Sequence, residues 1–224
     1  RRNNLAWVLK DLGELERARE LLELALASDL KNLGEDHPSV AIRHSNLANV
    51  LRELGEHGRA RELLELALAS DLKNLGEDHP YVAIDRSSLA NVLKDLGELG
   101  RARELLELAL ESGLKNLGED HPNVAIYRFN LAFVHEAAGE LERAIALLEV
   151  VVRSWLSSLG SEHPRLAYSR AKLASLLLRT GRAERARKEM REALRVARKQ
   201  PEGAQMRDKV EKLAAGFDGG VEEA

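Results

Sequence analysis

The chain has 224 residues, a net charge of −3 and no cysteine; 44% of its residues are hydrophobic, 32% are charged and 4% are aromatic. Without cysteine there is no disulfide framework, cysteine zinc site, iron–sulfur cluster or thiol nucleophile, and the near-neutral charge does not favour nucleic acid as a partner. Charged residues interrupt each apolar stretch well before the roughly 20 residues that cross a bilayer, so no membrane span is expected and a cytoplasmic location is predicted.

A repeat of 42 residues organises the sequence. The string LGEDHP ends at Pro38, at Pro80 and at Pro122, and it returns as LGSEHP ending at Pro164. Other columns keep the same register, among them Leu5, Leu47, Leu89, Leu131 and Leu173, and Gly13, Gly55, Gly97, Gly139 and Gly181. Such self-similarity predicts a stack of similar helical units rather than one globular core.

Each unit is predicted to contain two helices. In the second copy, apolar residues at helical spacing predict helix A over about 38–54 and helix B over about 58–75. Proline in the first turn after polar residues is typical of a helix start, and Gly55 and Gly76 are typical of helix ends. The pair cannot bury its apolar faces alone, so neighbouring units are expected to cover them.

The register divides the chain into seven segments. They are, in chain order, 1–38 for an N-terminally incomplete first repeat, 39–80, 81–122 and 123–164 for repeats two to four, 165–199 for a divergent terminal repeat, 200–218 for a capping helix and 219–224 for a disordered tail. In the terminal repeat, Glu189, Met190 and Glu192 replace residues that are apolar in earlier copies. Because the array begins inside a repeat, the chain is expected to be part of a longer protein.

These columns resemble a known repeat family. The pattern Leu47-Ala48, Leu51, Gly55, Ala60, Leu64, Ala67 resembles the tetratricopeptide repeat, and the 42-residue period resembles the longer repeat of kinesin light chains. The resemblance covers residues 1 to about 199 and implies an all-α, right-handed α-solenoid whose A helices line the concave face. One column departs from the family's apolar pattern, because it holds Arg2, His44, Arg86, Arg128 and Arg170.

The resemblance also implies a peptide-binding groove on helix A. Differences between the repeats collect on that helix, which is expected of a binding groove on a fixed framework and equally of neutral drift on exposed sites. The predicted groove residues are Ser45, Asn46, Asn49 and Arg52 in the second repeat, Ser87, Asn91 and Lys94 in the third, and Phe129, Asn130 and Phe133 in the fourth.

Each groove residue type suits one part of a peptide. Asparagine offers both a donor and an acceptor to an extended backbone, Arg52 and Lys94 suit a carboxylate, and Phe129 with Phe133 suits an apolar anchor. The alternatives are ordinary solvation for the two cations and packing against the adjacent helix A for the two phenylalanines.

Motifs of catalysis are absent from the sequence. The histidine before each repeat proline recurs once per repeat, too far apart to share one metal ion, so capping of helix A is the predicted role. No Gly-rich phosphate loop, HExxH or GxSxG motif occurs. The chain is therefore expected to be no enzyme and to need no cofactor or metal.

Three functions remain open. The first is a non-catalytic scaffold that binds a peptide segment or a partner protein in the groove. The second is a sensor or regulatory module of a larger signalling protein, such as a nucleotide-switch ATPase with its catalytic domain upstream of Arg1. The third is self-association through uncapped repeat faces.

Overall fold

A computed structural model describes residues 2–201 and 204–217. This part of the chain forms eleven α-helices and no strand. Their bounds are α1 Arg2–Asp11, α2 Leu15–Leu33, α3 Pro38–Glu53, α4 His57–Leu75, α5 Pro80–Asp95, α6 Leu99–Leu117, α7 Pro122–Ala137, α8 Leu141–Leu159, α9 Pro164–Arg179, α10 Ala183–Ala197 and α11 Gln205–Ala214. The all-α, solenoid-type arrangement of helix pairs expected from the repeat is confirmed, with odd-numbered helices α1 to α9 as helix A.

The chain divides into two compact units, residues 1–116 and 117–224. In unit 1, α1 packs on α2, α2 on α3, α3 on α4 and α4 on α5. In unit 2, α7 packs on α8, α8 on α9 and α9 on α10, and α11 packs on both α9 and α10. Within each unit, the helices therefore stack in chain order, as expected of a repeat array.

The histidine before each proline caps helix A. Nδ1 of His37 accepts a hydrogen bond from the backbone N–H of Ser39 at 3.1 Å. Nδ1 of His79, His121 and His163 each accepts a hydrogen bond from the backbone N–H of the residue two positions later, at 3.1 to 3.2 Å. An N-cap acceptor satisfies one of the backbone donors that the first helical turn leaves open. The predicted capping role of these histidines is confirmed.

Two glycines end the helices of the second repeat. Gly55 and Gly76 both have a φ of 82°. This left-handed conformation is unfavourable for residues with a Cβ atom, but glycine adopts it readily. Gly55 follows α3 and Gly76 follows α4, so both predicted helix ends are confirmed to within a residue or two.

Small and branched residues fill the space between paired helices. Ala48 on α3 and Ala60 on α4 are both fully buried, and so are Leu51 and Leu64 on the same two helices. Because alanine lets the helix axes approach, the leucines reach across and exclude water. The same columns are buried in the later repeats, for example Ala90, Ala102, Leu93 and Leu106.

The basic column that departs from the family pattern has an identifiable packing. Arg86 and Arg128 are only 7% and 9% exposed. Arg86 donates to the carbonyl oxygen of Glu77 at 3.3 Å, and Arg128 donates through Nη2 to Oε1 of Glu119 at 3.0 Å. The guanidinium groups thus reach back to the turn before helix A.

The terminal repeat keeps more of the core than its sequence indicated. Met190 is fully buried and occupies the column of Leu64, Leu106 and Leu148, so of the three replacements only Glu189 and Glu192 are polar. Methionine fills irregular core space easily because it is unbranched. Val210 of α11 is fully buried against this repeat. The predicted tail at 219–224 lies outside the described residues.

Candidate functional site

The predicted groove residues lie on α3 and α5 in unit 1 and on α7 in unit 2. We call this side of the A helices the A-face; its further members are Ser88, Glu136, Tyr168, Lys172 and Ser175. Most A-face side chains are half-buried, whereas Ser87 is only 4% exposed. In each unit, the A-face therefore has partly accessible side chains, in contrast to the buried alanine and leucine columns.

In unit 1, a serine connects two successive A helices. Oγ of Ser45 donates a 2.6 Å hydrogen bond to Oδ1 of Asp85, which joins α3 to α5. Nδ2 of Asn49 donates to the carbonyl oxygen of Ser45 at 2.9 Å. Within the described residues, one amide hydrogen and the amide oxygen of Asn49 remain for a further partner, so Asn49 can supply both a donor and an acceptor.

The two basic residues of the predicted groove share one acid of the chain. Nε of Arg52 lies 3.0 Å from Oδ2 of Asp95, and Nζ of Lys94 contacts Oδ1 of the same carboxylate. Arg52 and Lys94 thus both contact Asp95, which already neutralises part of their charge. A ligand carboxylate at this place would compete with Asp95.

The remaining unit 1 residues are spread along the face. Asn46 lines a small hollow together with Ala6, Lys10, Leu22 and Val50, and the hollow has room for about one water molecule at 10 Å³. Asn91 of α5 is half-buried. Along the described part of unit 1, these residues form an extended polar strip on α3 and α5.

A pair of buried aspartates was missed by sequence reasoning. Asp71 of α4 and Asp85 of α5 are each 4% exposed. Burial raises the pKa of both carboxyl groups. The pKa of Asp85 reaches about 7; the nearby Asp71 contributes to this rise, and the hydrogen bond from the Ser45 hydroxyl opposes it. One repeat earlier, the same columns hold Asp29 and Arg43, which form a 2.8 Å ion pair. The replacement of this Asp–Arg pair by two aspartates one repeat later was the sequence signal that could have revealed the buried pair.

In unit 2, the two phenylalanines belong to an aromatic cluster. Phe129 and Phe133 of α7 lie with ring centroids 4.8 Å apart in an edge-to-face arrangement. Phe129 also contacts Trp155 of α8 at 5.4 Å and Tyr168 of α9 at 5.8 Å. These are favourable aromatic geometries. The packing of the phenylalanines against the next helix A, which was the alternative prediction, is confirmed, and both rings remain partly exposed.

Charged groups border the aromatic cluster. Nζ of Lys172 lies 4.7 Å above the ring centroid of Phe133 and 2.8 Å from Oε2 of Glu136. Arg179 reaches the other oxygen of Glu136 at 3.1 Å. Burial raises the pKa of Tyr168, and the nearby Glu136 carboxylate adds to the shift. Asn130 lies beside the cluster on α7 and is half-buried.

The described residues contain no group of three or more His, Cys, Asp or Glu side chains that could hold a metal ion. Among the same residues, no helix is both long and apolar enough to cross a membrane. The chemistry that the A-face offers consists of amide and hydroxyl hydrogen bonding, partly neutralised cations and exposed aromatic edges.

Comparisons with known proteins place the chain. The tetratricopeptide repeat model matches residues 2–73, 44–115, 82–157 and 130–199. A search of curated proteins finds no match.

Solved structures with the same fold include repeat proteins of this kind. A P. anserina protein assigned as a kinesin light chain with nearly identical TPR-like repeats shares 30% identity and a TM-score of 0.69, over 89% of this chain and 95% of that one. A single-substitution variant of it gives a TM-score of 0.71 at 30% identity, over 88% and 93% of the two chains. BtubC from P. vanneervenii shares the fold at 22% identity and a TM-score of 0.66, over 92% and 84%. The chain is thus a member of the tetratricopeptide repeat family, whose members generally mediate protein–protein interaction, and its 42-residue repeat is of the kinesin-light-chain-like form.

Proposed function

We propose that the chain is a non-catalytic scaffold that binds a peptide segment of a partner protein along the A-face. The observation that carries the proposal is the aromatic cluster of Phe129, Phe133 and Tyr168, which is partly exposed on the A helices of unit 2. Exposed aromatic groups beside polar residues are enriched at the centres of protein interfaces. The location proposed for this activity is the cytoplasm, as predicted from the composition.

The charges around the cluster support a peptide with both an apolar and an acidic residue. Lys172 and Arg179 bring two positive charges to Glu136, which leaves the group with a net positive charge. An apolar or aromatic side chain of the peptide would pack against Phe133, and a neighbouring Asp or Glu would share Lys172 with Glu136. Such rim charges mainly set orientation and association rate.

The polar strip of unit 1 supports a role in holding an extended backbone. Asn49 and Asn91 are half-buried amides on successive A helices, and an amide can bind a peptide N–H and C=O without regard to sequence. Arg52 and Lys94 would bind a carboxylate of the peptide only if it displaced Asp95, so we expect them to contribute less to the affinity than the amides.

The test uses fluorescent peptides of about ten residues with one Trp or Leu beside Asp or Glu, and the same peptides with Asn and Gln in place of the acids. Binding is followed by anisotropy with the full chain, with Phe133→Ala and with Leu156→Ala as matched control. Leu156 is 41% exposed on α8, a B helix of the same unit. We expect Phe133→Ala to weaken binding about tenfold or more and Leu156→Ala to leave it unchanged.

Retention of a protein from source lysate by the unaltered chain, but not by a Phe129→Ala, Phe133→Ala double variant, would identify the natural partner. Equal effects of Phe133→Ala and Leu156→Ala on every acidic peptide would contradict the A-face as the binding surface. The regulatory-module hypothesis would then gain weight, because in it the array mainly contacts other domains of a larger protein.

A second candidate, self-association, rests on one exposed face. Leu5, Val8 and Leu12 of α1 are 50%, 54% and 68% exposed, whereas Leu47 and Val50, one repeat later in the columns of Leu5 and Val8, are each 2% exposed. In the later repeats, the equivalent surface of helix A packs against a helix B. Light scattering on the chain and on a Leu5→Glu, Val8→Glu variant tests it: a dimer that becomes a monomer supports the idea, and a monomer in both cases contradicts it.

A further inference from the structure

An exposed glutamate recurs on helix B in the first three repeats. Glu20 of α2, Glu62 of α4 and Glu104 of α6 occupy one repeat column, and all three side chains are exposed. None of them has a hydrogen-bond or ion-pair partner within residues 2–201 and 204–217. We call these three residues the glutamate row; they all belong to unit 1.

Ion pairs between successive B helices leave the glutamate row charged. Arg59 of α4 contacts Glu23 of α2 at 3.2 Å. One repeat later, Arg101 of α6 contacts Glu65 of α4 at 3.5 Å. These pairs use a different glutamate column, and they link each B helix to the next. The glutamate row therefore crosses three adjacent helices and keeps its negative charge.

Exposed leucines run beside the glutamate row. Leu24, Leu66 and Leu108 follow the three glutamates by four residues and are 61%, 56% and 44% exposed. Side chains four residues apart are neighbours on a helix surface. The surface thus combines free negative charge with apolar area, and long cationic side chains with apolar stems would match both features.

The last helix B reverses the charge in the same columns. Lys188 of α10 occupies the column of the glutamate row. Arg191 occupies a second acidic column, whose earlier members are Glu23, Glu65, Glu107 and Glu149. Arg195 and Arg198 continue the same side of the helix at spacings of four and three residues. All four cations are exposed, and we call them the basic stripe.

Most of the basic stripe lacks a counter-ion. Lys188, Arg191 and Arg198 have no side-chain partner in the part of the chain that the structure describes. Arg195 is the exception, because it contacts Glu162 at 2.7 Å and Glu192 at 3.2 Å. Like charges on neighbouring turns of a helix repel one another. An acidic surface placed over the basic stripe would relieve that repulsion.

The basic stripe and the glutamate row agree in size. Lys188 and Arg198 are ten residues apart, which corresponds to about 15 Å along the helix axis. Packed helices lie about 10 Å apart, so the glutamate row extends over about 20 Å from α2 to α6. Flexible lysine and arginine side chains can bridge the difference. If α10 lay across the three helices, its cations would face the glutamates and its side-chain stems would cover the leucines.

We propose that the basic stripe of one copy of the chain docks on the glutamate row of a second copy. The contact joins two different surfaces, so it is heterologous and adds copies head to tail. Because single exposed ion pairs contribute little, the association is weak, depends on several pairs at once and falls as salt is added. It involves B helices only, and thus neither the A-face nor α1.

The first measurement is the mean mass of the full chain by light scattering, at protein concentrations up to about 1 mM, where even weak complexes form. At about 50 mM salt we expect the mass to rise with concentration. At about 500 mM salt, where screening reduces the range of charge interactions to roughly 4 Å, we expect the mass of a monomer.

Charge reversal on each side gives the specific test. One double variant, Glu20→Lys with Glu62→Lys, makes the glutamate row basic, and another, Lys188→Glu with Arg191→Glu, makes the stripe acidic. We expect both to be monomeric at low salt, because like charges then face each other. The variant with all four changes keeps the net charge of −3 and exchanges the two charges, so we expect it to associate again.

A matched control separates this contact from an effect of net charge. Glu35→Lys with Asp120→Lys changes two exposed turn acids that have no ion pair among the described residues. It alters the net charge as much as the reversal of the glutamate row does, and we expect it to associate as the unaltered chain does. Circular dichroism establishes that each variant is folded and helical.

Three results would overturn the proposal. The first is an unaltered chain that stays monomeric at low salt over the whole concentration range. The second is a folded four-substitution variant that stays monomeric while the control associates, since the stripe and the row would then not face each other. The third is association that both double variants retain and that Leu5→Glu with Val8→Glu abolishes, which would assign it to α1.

Discussion

The hydroxyl of Ser45 on α3 donates a 2.6 Å hydrogen bond to the carboxyl group of Asp85 on α5, a residue that is only 4% exposed. The second oxygen of Asp85 is buried with no hydrogen-bond partner among the described residues. Asp71 faces it from α4 and itself interacts with His79. This hydrogen bond therefore connects two A helices at a site where a negative charge is poorly solvated.

Asp85→Asn should stabilise the chain at high pH. Burial raises the pKa of Asp85 from 3.8 to about 7, so the folded state binds the proton more tightly than the unfolded state. The stabilisation by protonated Asp85 is complete below about pH 4 and is lost as the pH rises through 7. We expect the variant to match the unaltered chain near pH 4 and to exceed it by about 2 to 4 kcal/mol at pH 8. Urea unfolding at both pH values measures this.

A control for this experiment comes from the hydrogen-bond partner. Ser45→Ala removes the donor that opposes the pKa shift, so its stability should fall more steeply between pH 4 and 8 than that of the unaltered chain. A stability difference between Asp85→Asn and the unaltered chain that does not change with pH would contradict the assignment.

Phe129→Ala should cost more stability than Phe133→Ala. Phe129 packs against the unit 2 core and contacts the rings of Phe133, Trp155 and Tyr168. Phe133 contacts two rings and Lys172. Since both side chains are only half-buried, we expect losses of about 3 and about 1 kcal/mol, respectively. Chemical denaturation of the variants in a Trp7→Phe background, followed by tryptophan fluorescence, reports on the cluster through Trp155, and equal losses would contradict the difference in packing.

Removing one histidine cap should weaken the chain modestly. His121→Ala deletes the acceptor for the backbone N–H of Asn123, which lies 3.1 Å from Nδ1. The expected loss in the free energy of unfolding is about 1 kcal/mol. His121→Asp restores an acceptor at the N-cap and should recover most of the loss. If alanine and aspartate behave alike in thermal unfolding, the hydrogen bond contributes nothing measurable.

Two glycine-to-alanine substitutions in one repeat should change the free energy of unfolding in opposite directions. Gly55 has φ of 82°, a conformation that strains alanine, so Gly55→Ala is expected to destabilise by about 1 kcal/mol. Gly58 lies in the first turn of α4, and a Cβ atom added there would meet no atom within 4 Å, so Gly58→Ala should stabilise by about 0.5 kcal/mol. Thermal unfolding of the two variants side by side tests the sign, and a gain for Gly55→Ala would exclude the left-handed turn.

The sequence alone determined the repeat, its period, the helix pairs and their ends. Local rules were sufficient for these features: the His-Pro start, the glycine end and the helical spacing of columns such as Ala48 and Leu51 act within one or two turns of chain. Because these signals recur in every copy, an exception in one repeat does not obscure the pattern. Family membership followed from the same columns.

Only the tertiary structure decided how charged and aromatic side chains are paired. The sequence grouped Arg52 with Lys94, but the acid between them, Asp95, was found only when helical geometry brought its side chain to both. The aspartate pair at 71 and 85 involves residues 14 positions apart, on different helices. Pairing over such separations depends on helix packing, rotamers and local solvation, which no local pattern of residues specifies.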